Sequence, residues 1–168
     1  MNLLANAFAL VSHIGFIYNF KEKALSYMKN ALSLVEVLSD RFKDKYSQIA
    51  LFTFNSGNIC LQMDDYDNAI KYFIQAKDVC KNNKFDDSND MFAMSSNYMA
   101  QALVLKKEYE EAVNEYKNAI EYLNKNELDE NKRNKNIKDF LKRIGIIYEK
   151  YLNNEEQSKI YYEKAKKI

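Results

Sequence analysis

Proline and tryptophan are absent from this chain, and glycine occurs only at Gly15, Gly57 and Gly145. Sheet proteins place Gly and Pro at their turns, so a chain this poor in both fits long helices with short connections. Histidine occurs once, at His13. A lone imidazole without a placed carboxylate or thiol is read as structural or merely exposed, not as a catalytic base. Cys60 and Cys80 are the only cysteines, with no cluster of other ligand-type residues beside them. That pattern does not make a zinc site and fits reduced core thiols of a cytosolic protein. No phosphate-binding loop, GxSxG or HExxH occurs in the sequence. The expectation is a protein that is not an enzyme and uses no cofactor and no metal.

Charge of one sign is also lacking, since the net charge is +1. This argues against nucleic acid or an anionic membrane surface as the main partner. Residues 2–20 are apolar but lack a basic leading segment and are interrupted by Asn6, Ser12 and His13. Neither a secretory signal nor a membrane span is expected there, and a cytoplasmic location is. What the chain has in quantity is apolar surface. Hydrophobic residues are 47% of 168, enough to bury the core of one domain.

The apolar residues recur with long-range order. Gly57 is followed by Tyr66 nine positions later, Ala69 at twelve, Phe73 at sixteen and Ala76 at nineteen. Ala100 is followed at the same offsets by Tyr109, Ala112, Tyr116 and Ala119. A third copy runs from Gly145 and Tyr148 to Ser158, Tyr162 and Ala165, one residue longer in the middle. A fourth runs from Gly15 and Tyr18 to Ala24, Met28 and Ala31, three residues shorter. Small residues at one helix crossing and a large residue one turn away are what two closely packed antiparallel helices require.

This pattern resembles the tetratricopeptide repeat. The resemblance implies an all-α fold, a right-handed α-solenoid of four helical hairpins and about eight helices. The expected helices are 2–19 and 21–41, 46–62 and 66–82, 88–106 and 109–125, and 132–152 and 155–167. Asp64-Asp65, Asp86-Asp87-Ser88 and Asn153-Asn154 supply side-chain acceptors where helices start. The acidic pairs Asp64-Asp65, Asp86-Asp87 and Glu110-Glu111 are read as complements to helix dipoles, not as catalytic pairs. Lys132-Arg133-Asn134-Lys135 is read as a solvated helix start. No domain boundary is visible, so residues 1–168 are expected to form a single repeat domain. The last alanines fall at 31, 76, 119 and 165, so the period is 43–46 residues. The ordinary repeat is about 34, and longer helices, longer links, or both must hold the difference.

In such repeats the first helix of each hairpin lines a concave wall on which a polypeptide partner binds. Counting from the small residue of each first helix gives Asn55, Asn58, Asn97, Gln101, Lys142 and Arg143 as candidate peptide-binding residues. Carboxamides carry both a donor and an acceptor, as a peptide backbone does. Arg143 or Lys142 suits a carboxylate. Exchange of Asn58 and Asn97 for Ala is expected to weaken peptide binding and leave stability nearly unchanged. Some tetratricopeptide co-chaperones hold a chaperone C-terminus in a clamp of Lys, Asn and Arg. Asn58 and Arg143 match that clamp here, Tyr98 stands where its second Asn is expected with Asn97 one position off, and Phe54 and Asp139 replace its lysines. The long period and the Lys- and Asn-rich composition are also similar to the peptide-sensing repeat domains of Rap and PlcR-like bacterial regulators.

The first helix is apolar around most of its circumference, through Leu3, Leu4, Ala7, Phe8, Leu10, Val11, Ile14, Phe16 and Ile17. Such a helix is expected to be buried on more than one face. Two explanations are open. The chain is the C-terminal piece of a longer repeat protein, or it forms a homodimer through this helix. The expected function is a protein- or peptide-binding repeat module, as the sensor part of a bacterial regulator. The alternative is a scaffold that self-associates through its N-terminal helix.

Overall fold

A computed structural model describes residues 2–17, 20–37 and 44–168, without the side chains of residues 2–4 and 16. Among the described residues there are eight helices and no strand. They are α1 (Asn2–Ile17), α2 (Lys21–Val37), α3 (Lys45–Gln62), α4 (Tyr66–Asn82), α5 (Ser88–Leu105), α6 (Tyr109–Asn126), α7 (Glu130–Lys150) and α8 (Glu155–Lys166). The expected ends at residues 18–19 and 38–41, and the side chains of Leu3, Leu4 and Phe16, lie outside the described residues. Elsewhere observed and expected ends agree to within two residues. The extra repeat length goes largely into the helices: α2 to α6 run 17 to 18 residues each, and α7 runs 21.

The chain groups into two compact units, Met1–Ser95 and Ser96–Ile168. The first unit holds α1 to α4 and the start of α5. Its hairpins close where the repeat pattern places small residues. Gly57 of α3 lies against Phe73 of α4, so that a methyl group on Gly57 would stand 2.7 Å from the ring. Phe73 is fully buried, and the ring of Phe54 packs on it at 5.7 Å between centroids. Ala24, Ala69 and Ala76 are also fully buried, which lets the helix backbones approach closely. At Gly15 the contact is looser: a methyl there would meet the Ala24 Cβ at 3.5 Å. The α1–α2 pair is tied by Ser12, whose Oγ donates to the Ala24 carbonyl at 2.7 Å. Lys21 donates to the Gln62 carbonyl at the end of α3, at 2.7 Å, which satisfies an acceptor that the helix leaves unpaired.

The second unit repeats this plan with the rest of α5 and α6 to α8. Ala100, Ala112, Ala119 and Ala165 are buried. Gly145 faces Tyr162, where a methyl would stand 2.8 Å from the ring. Leu123, Ile144 and Val113 fill the core, each worth about 1.5–3 kcal/mol of transfer free energy.

Glycine scarcity shows in the turns. Asp64, Asp87, Lys107 and Asn153 take left-handed backbone conformations, with φ of 58°, 60°, 66° and 48°. In three of the four the next residue is the N-cap of a helix, and after Asp87 the helix itself begins. Asp65 and Asn154 accept from the backbone N–H of Asn68 and Gln157, as helix caps do. Asp64, also expected as an acceptor at a helix start, takes the turn conformation and accepts from the Tyr66 hydroxyl at 2.8 Å.

Candidate functional site

Two groups of the candidate residues border open cavities, one in each unit. In the first unit, Asn55 and Asn58 stand three residues apart on α3 and so share a face. With Ala9, Ser12 and His13 of α1, Met28 of α2 and Ile59 they line a cavity of about 280 Å³. Both asparagines are half-buried and His13 is exposed. Phe54 is turned away, buried against α4 at 5% exposure. The clamp position it occupies therefore belongs to the hairpin core.

In the second unit, Gln101, Val104 and Leu105 of α5, Tyr116 of α6, Arg143, Ile146 and Ile147 of α7, and Tyr151 line a cavity of about 260 Å³. Its floor is hydrogen-bonded. The Tyr116 hydroxyl donates to Asn97 Oδ1 at 3.0 Å. Burial pushes the Tyr116 phenol up to about 12, although the nearby Arg143 guanidinium pulls it down. Arg143 Nε donates to Asp139 Oδ2 at 2.7 Å. Burial works against the Arg143 charge, but the bonds to Asp139 and Tyr116 outweigh it and raise the guanidinium above its ordinary value. Tyr151 is held by a stacked contact with Tyr109, 4.8 Å between centroids.

The structure thus brings Asn55 together with Asn58, and Gln101 together with Arg143. Asn97 lines neither cavity; it sits beneath the second one, bonded to a buried tyrosine. The expectation that Asn97 is a freely replaceable wall residue does not survive this bond, because its removal leaves the proton of a buried hydroxyl without its acceptor. Lys142 is exposed beside Arg143 and lines neither cavity. Tyr116 was expected only as the filler of a hairpin gap. Its second role at the cavity floor had no separate signal in sequence. His13, Ile146 and Tyr151 also belong to cavity walls; the first two stand at wall offsets in the repeat register.

Cys60 and Cys80 are buried free thiols, and burial pushes them up to about 11 and about 12. Among the described residues no group of three or more His, Cys, Asp or Glu is placed to hold a metal ion. No helix among them is long and apolar enough to cross a membrane.

Residues 47–125, which carry the two repeat copies of identical spacing, match the family model of the tetratricopeptide repeat. They are tetratricopeptide repeats. The fold of nearly the whole chain is shared with solved tetratricopeptide-like structures. RapI in its apo form matches at TM-score 0.75 and 18% identity, over 98% of this chain and 42% of that one. BtubC (BKLC) from P. vanneervenii matches at 0.73 and 15%, over 98% and 63%. The Rap conjugation gene regulator of the plasmid pLS20, in complex with the Phr* peptide, matches at 0.64 and 16%, over 96% and 41%. The chain therefore spans less than two thirds of each of these proteins, and at such identities the likeness is one of fold. Among curated proteins no sequence matches this chain.

Proposed function

We propose that this chain is a peptide-binding repeat module serving as the sensing part of a bacterial regulator. The observation that carries this is the pair Asn55 and Asn58, one turn apart on α3 and bordering one cavity with His13. Two carboxamides at that spacing offer both donors and acceptors to a peptide backbone. In the second unit, Gln101 and Arg143 offer the same to a chain lying over its cavity, with Lys142 at the rim and Asn97 acting from below through Tyr116. The pLS20 regulator, which shares the fold, holds a peptide, and this supports a peptide rather than a small metabolite as ligand. The partner is a peptide or protein, without nucleic acid or membrane involvement by this segment. The test is selection from a phage-displayed library of random peptides, followed by calorimetric titration of the winners. Asn55→Ala/Asn58→Ala is expected to weaken binding about tenfold or more. Failure to select any binder sinks the reading.

A second reading is favoured by one observation. On α1, Leu10, Val11, Ile14 and Ile17 are 41–63% exposed, while Ala5 and Ser12 are buried. The helix is thus buried on one face and leaves an apolar one open, a mark of an interaction surface. Self-association through α1, as a homodimer, fits that face. Light scattering tests it: a monomer at all concentrations, unchanged by Ile14→Glu, rules it out.

A further inference from the structure

We propose that the cavity of the second unit is a socket for one internal aromatic or large aliphatic side chain of a peptide. Gln101 and Arg143 donate to the backbone carbonyl beside that side chain. The inference rests on the peptide-binding reading and adds to it the chemistry of one peptide position.

The walls are apolar and accessible. Leu105, Ile146 and Tyr151 are 53%, 37% and 43% exposed, and all three border the same opening with Val104 and Ile147. Single exposed apolar residues are ordinary; a group around one concavity marks a binding site. The space is about 260 Å³, and a cavity of about 150 Å³ already admits benzene. One aromatic ring or a branched aliphatic chain fits, whereas a methyl side chain would leave most of the wall wet. The floor is preformed, since Tyr116 is buried with its hydroxyl bonded to Asn97, so little ordering accompanies binding.

The polar end selects a neutral acceptor. Asp139 already holds the Arg143 Nε at 2.7 Å. An incoming carboxylate would meet the field of Asp139 as well as that of Arg143. A carbonyl oxygen meets no such repulsion, and a guanidinium has five donors of which Asp139 and Tyr116 engage only part. The occupant is therefore an apolar residue inside the peptide, neither an acidic side chain nor a free C-terminus.

Random peptides displayed on phage are selected against the wild-type chain and against Ile146→Asp and Leu105→Asp. Both replaced side chains are exposed, and thermal melts identify any variant that does not fold. The expected result is one position enriched in Phe, Tyr, Leu or Ile with wild type, and loss of that enrichment with a folded variant that still recovers peptides. Changing that peptide residue to Ala lowers affinity about tenfold or more for wild type, and causes no further loss with Ile146→Asp. Amidation of the peptide C-terminus leaves affinity unchanged. Equal enrichment with the variants, enrichment in Asp or Glu, or dependence on a free C-terminus overturns the socket while the peptide-binding reading stands. Recovery of no peptide by wild type overturns both.

Discussion

The hydroxyl of Tyr116 donates to Oδ1 of Asn97 across the α5–α6 hairpin at 3.0 Å. One member of the pair is buried and the other half-buried, so each supplies the other's hydrogen bond where water has little access. Asn97→Ala is expected to lower stability by about 1–3 kcal/mol, because the Tyr116 hydroxyl loses its acceptor. Tyr116→Phe removes the hydroxyl and shortens that penalty. In urea unfolding the double variant should be less destabilised than the sum of the singles. Asn58→Ala, at the cavity edge of the first unit, should shift stability by no more than about 0.5 kcal/mol. Additive losses for Asn97 and Tyr116 would mean the bond contributes nothing.

The glycines should respond unequally to alanine. At Gly15 the added methyl makes an ordinary contact of 3.5 Å with Ala24, and helix propensity gains about 1 kcal/mol. Gly15→Ala should be neutral to stabilising. At Gly57 the methyl stands 2.7 Å from a ring that is fully buried, and overpacking costs about 1–3 kcal/mol. Gly57→Ala should lower Tm. Gly145→Ala should fall between, because Tyr162 is half-buried and its ring has room to shift.

Lys107 is the least suited residue among the left-handed turns, at φ 66°. An ordinary L-residue there carries about 1–2 kcal/mol of strain. Lys107→Gly is expected to stabilise by about 0.5–1 kcal/mol after the added freedom of the unfolded chain is subtracted. Asp64→Gly should gain less, because Asp64 accepts from the Tyr66 hydroxyl at 2.8 Å. Chemical denaturation compares the two.

Alkaline pH should weaken the fold through its buried acids. Burial raises Cys60 from 9.0 to about 11 and Cys80 from 9.0 to about 12. Burial likewise raises Tyr116 from 10.0 to about 12. An acid with a raised native pKa binds its proton more tightly when folded. Its contribution is fully present below the unfolded value and is lost as pH rises through the native one. Stability should therefore be level below pH 9 in this respect and fall between pH 9 and 12. Cys80→Ala should flatten the first part of that decline in denaturation midpoints. At neutral pH both thiols should react slowly with a disulfide reagent.

Much of the architecture was legible from local signals. The copies at Gly57 and Ala100 share five positions at identical spacing, and the helices around them appear within a residue or so of their expected ends. The scarcity of Gly and Pro correctly implied helices. It did not reveal that Asp64, Asp87 and Lys107 make the turns, because left-handed backbone in a non-glycine residue is imposed by the packed helices on either side. The open face of α1 was likewise hidden. An apolar composition states that surface must be covered, not which side the hairpin covers.

The candidate residues divide along the same line. Repeat register by itself placed Asn55, Asn58, Gln101 and Arg143 on first helices at wall offsets, since that depends only on helical periodicity. The tertiary structure alone decided that Asn97 serves the core while Asn58 borders a cavity. It alone decided that Arg143 shares a cavity with Gln101 and lies beside Tyr116. Those outcomes depend on side chains from three different helices meeting in space. Periodicity along one helix sets the direction in which a side chain leaves, but only packing sets what it meets.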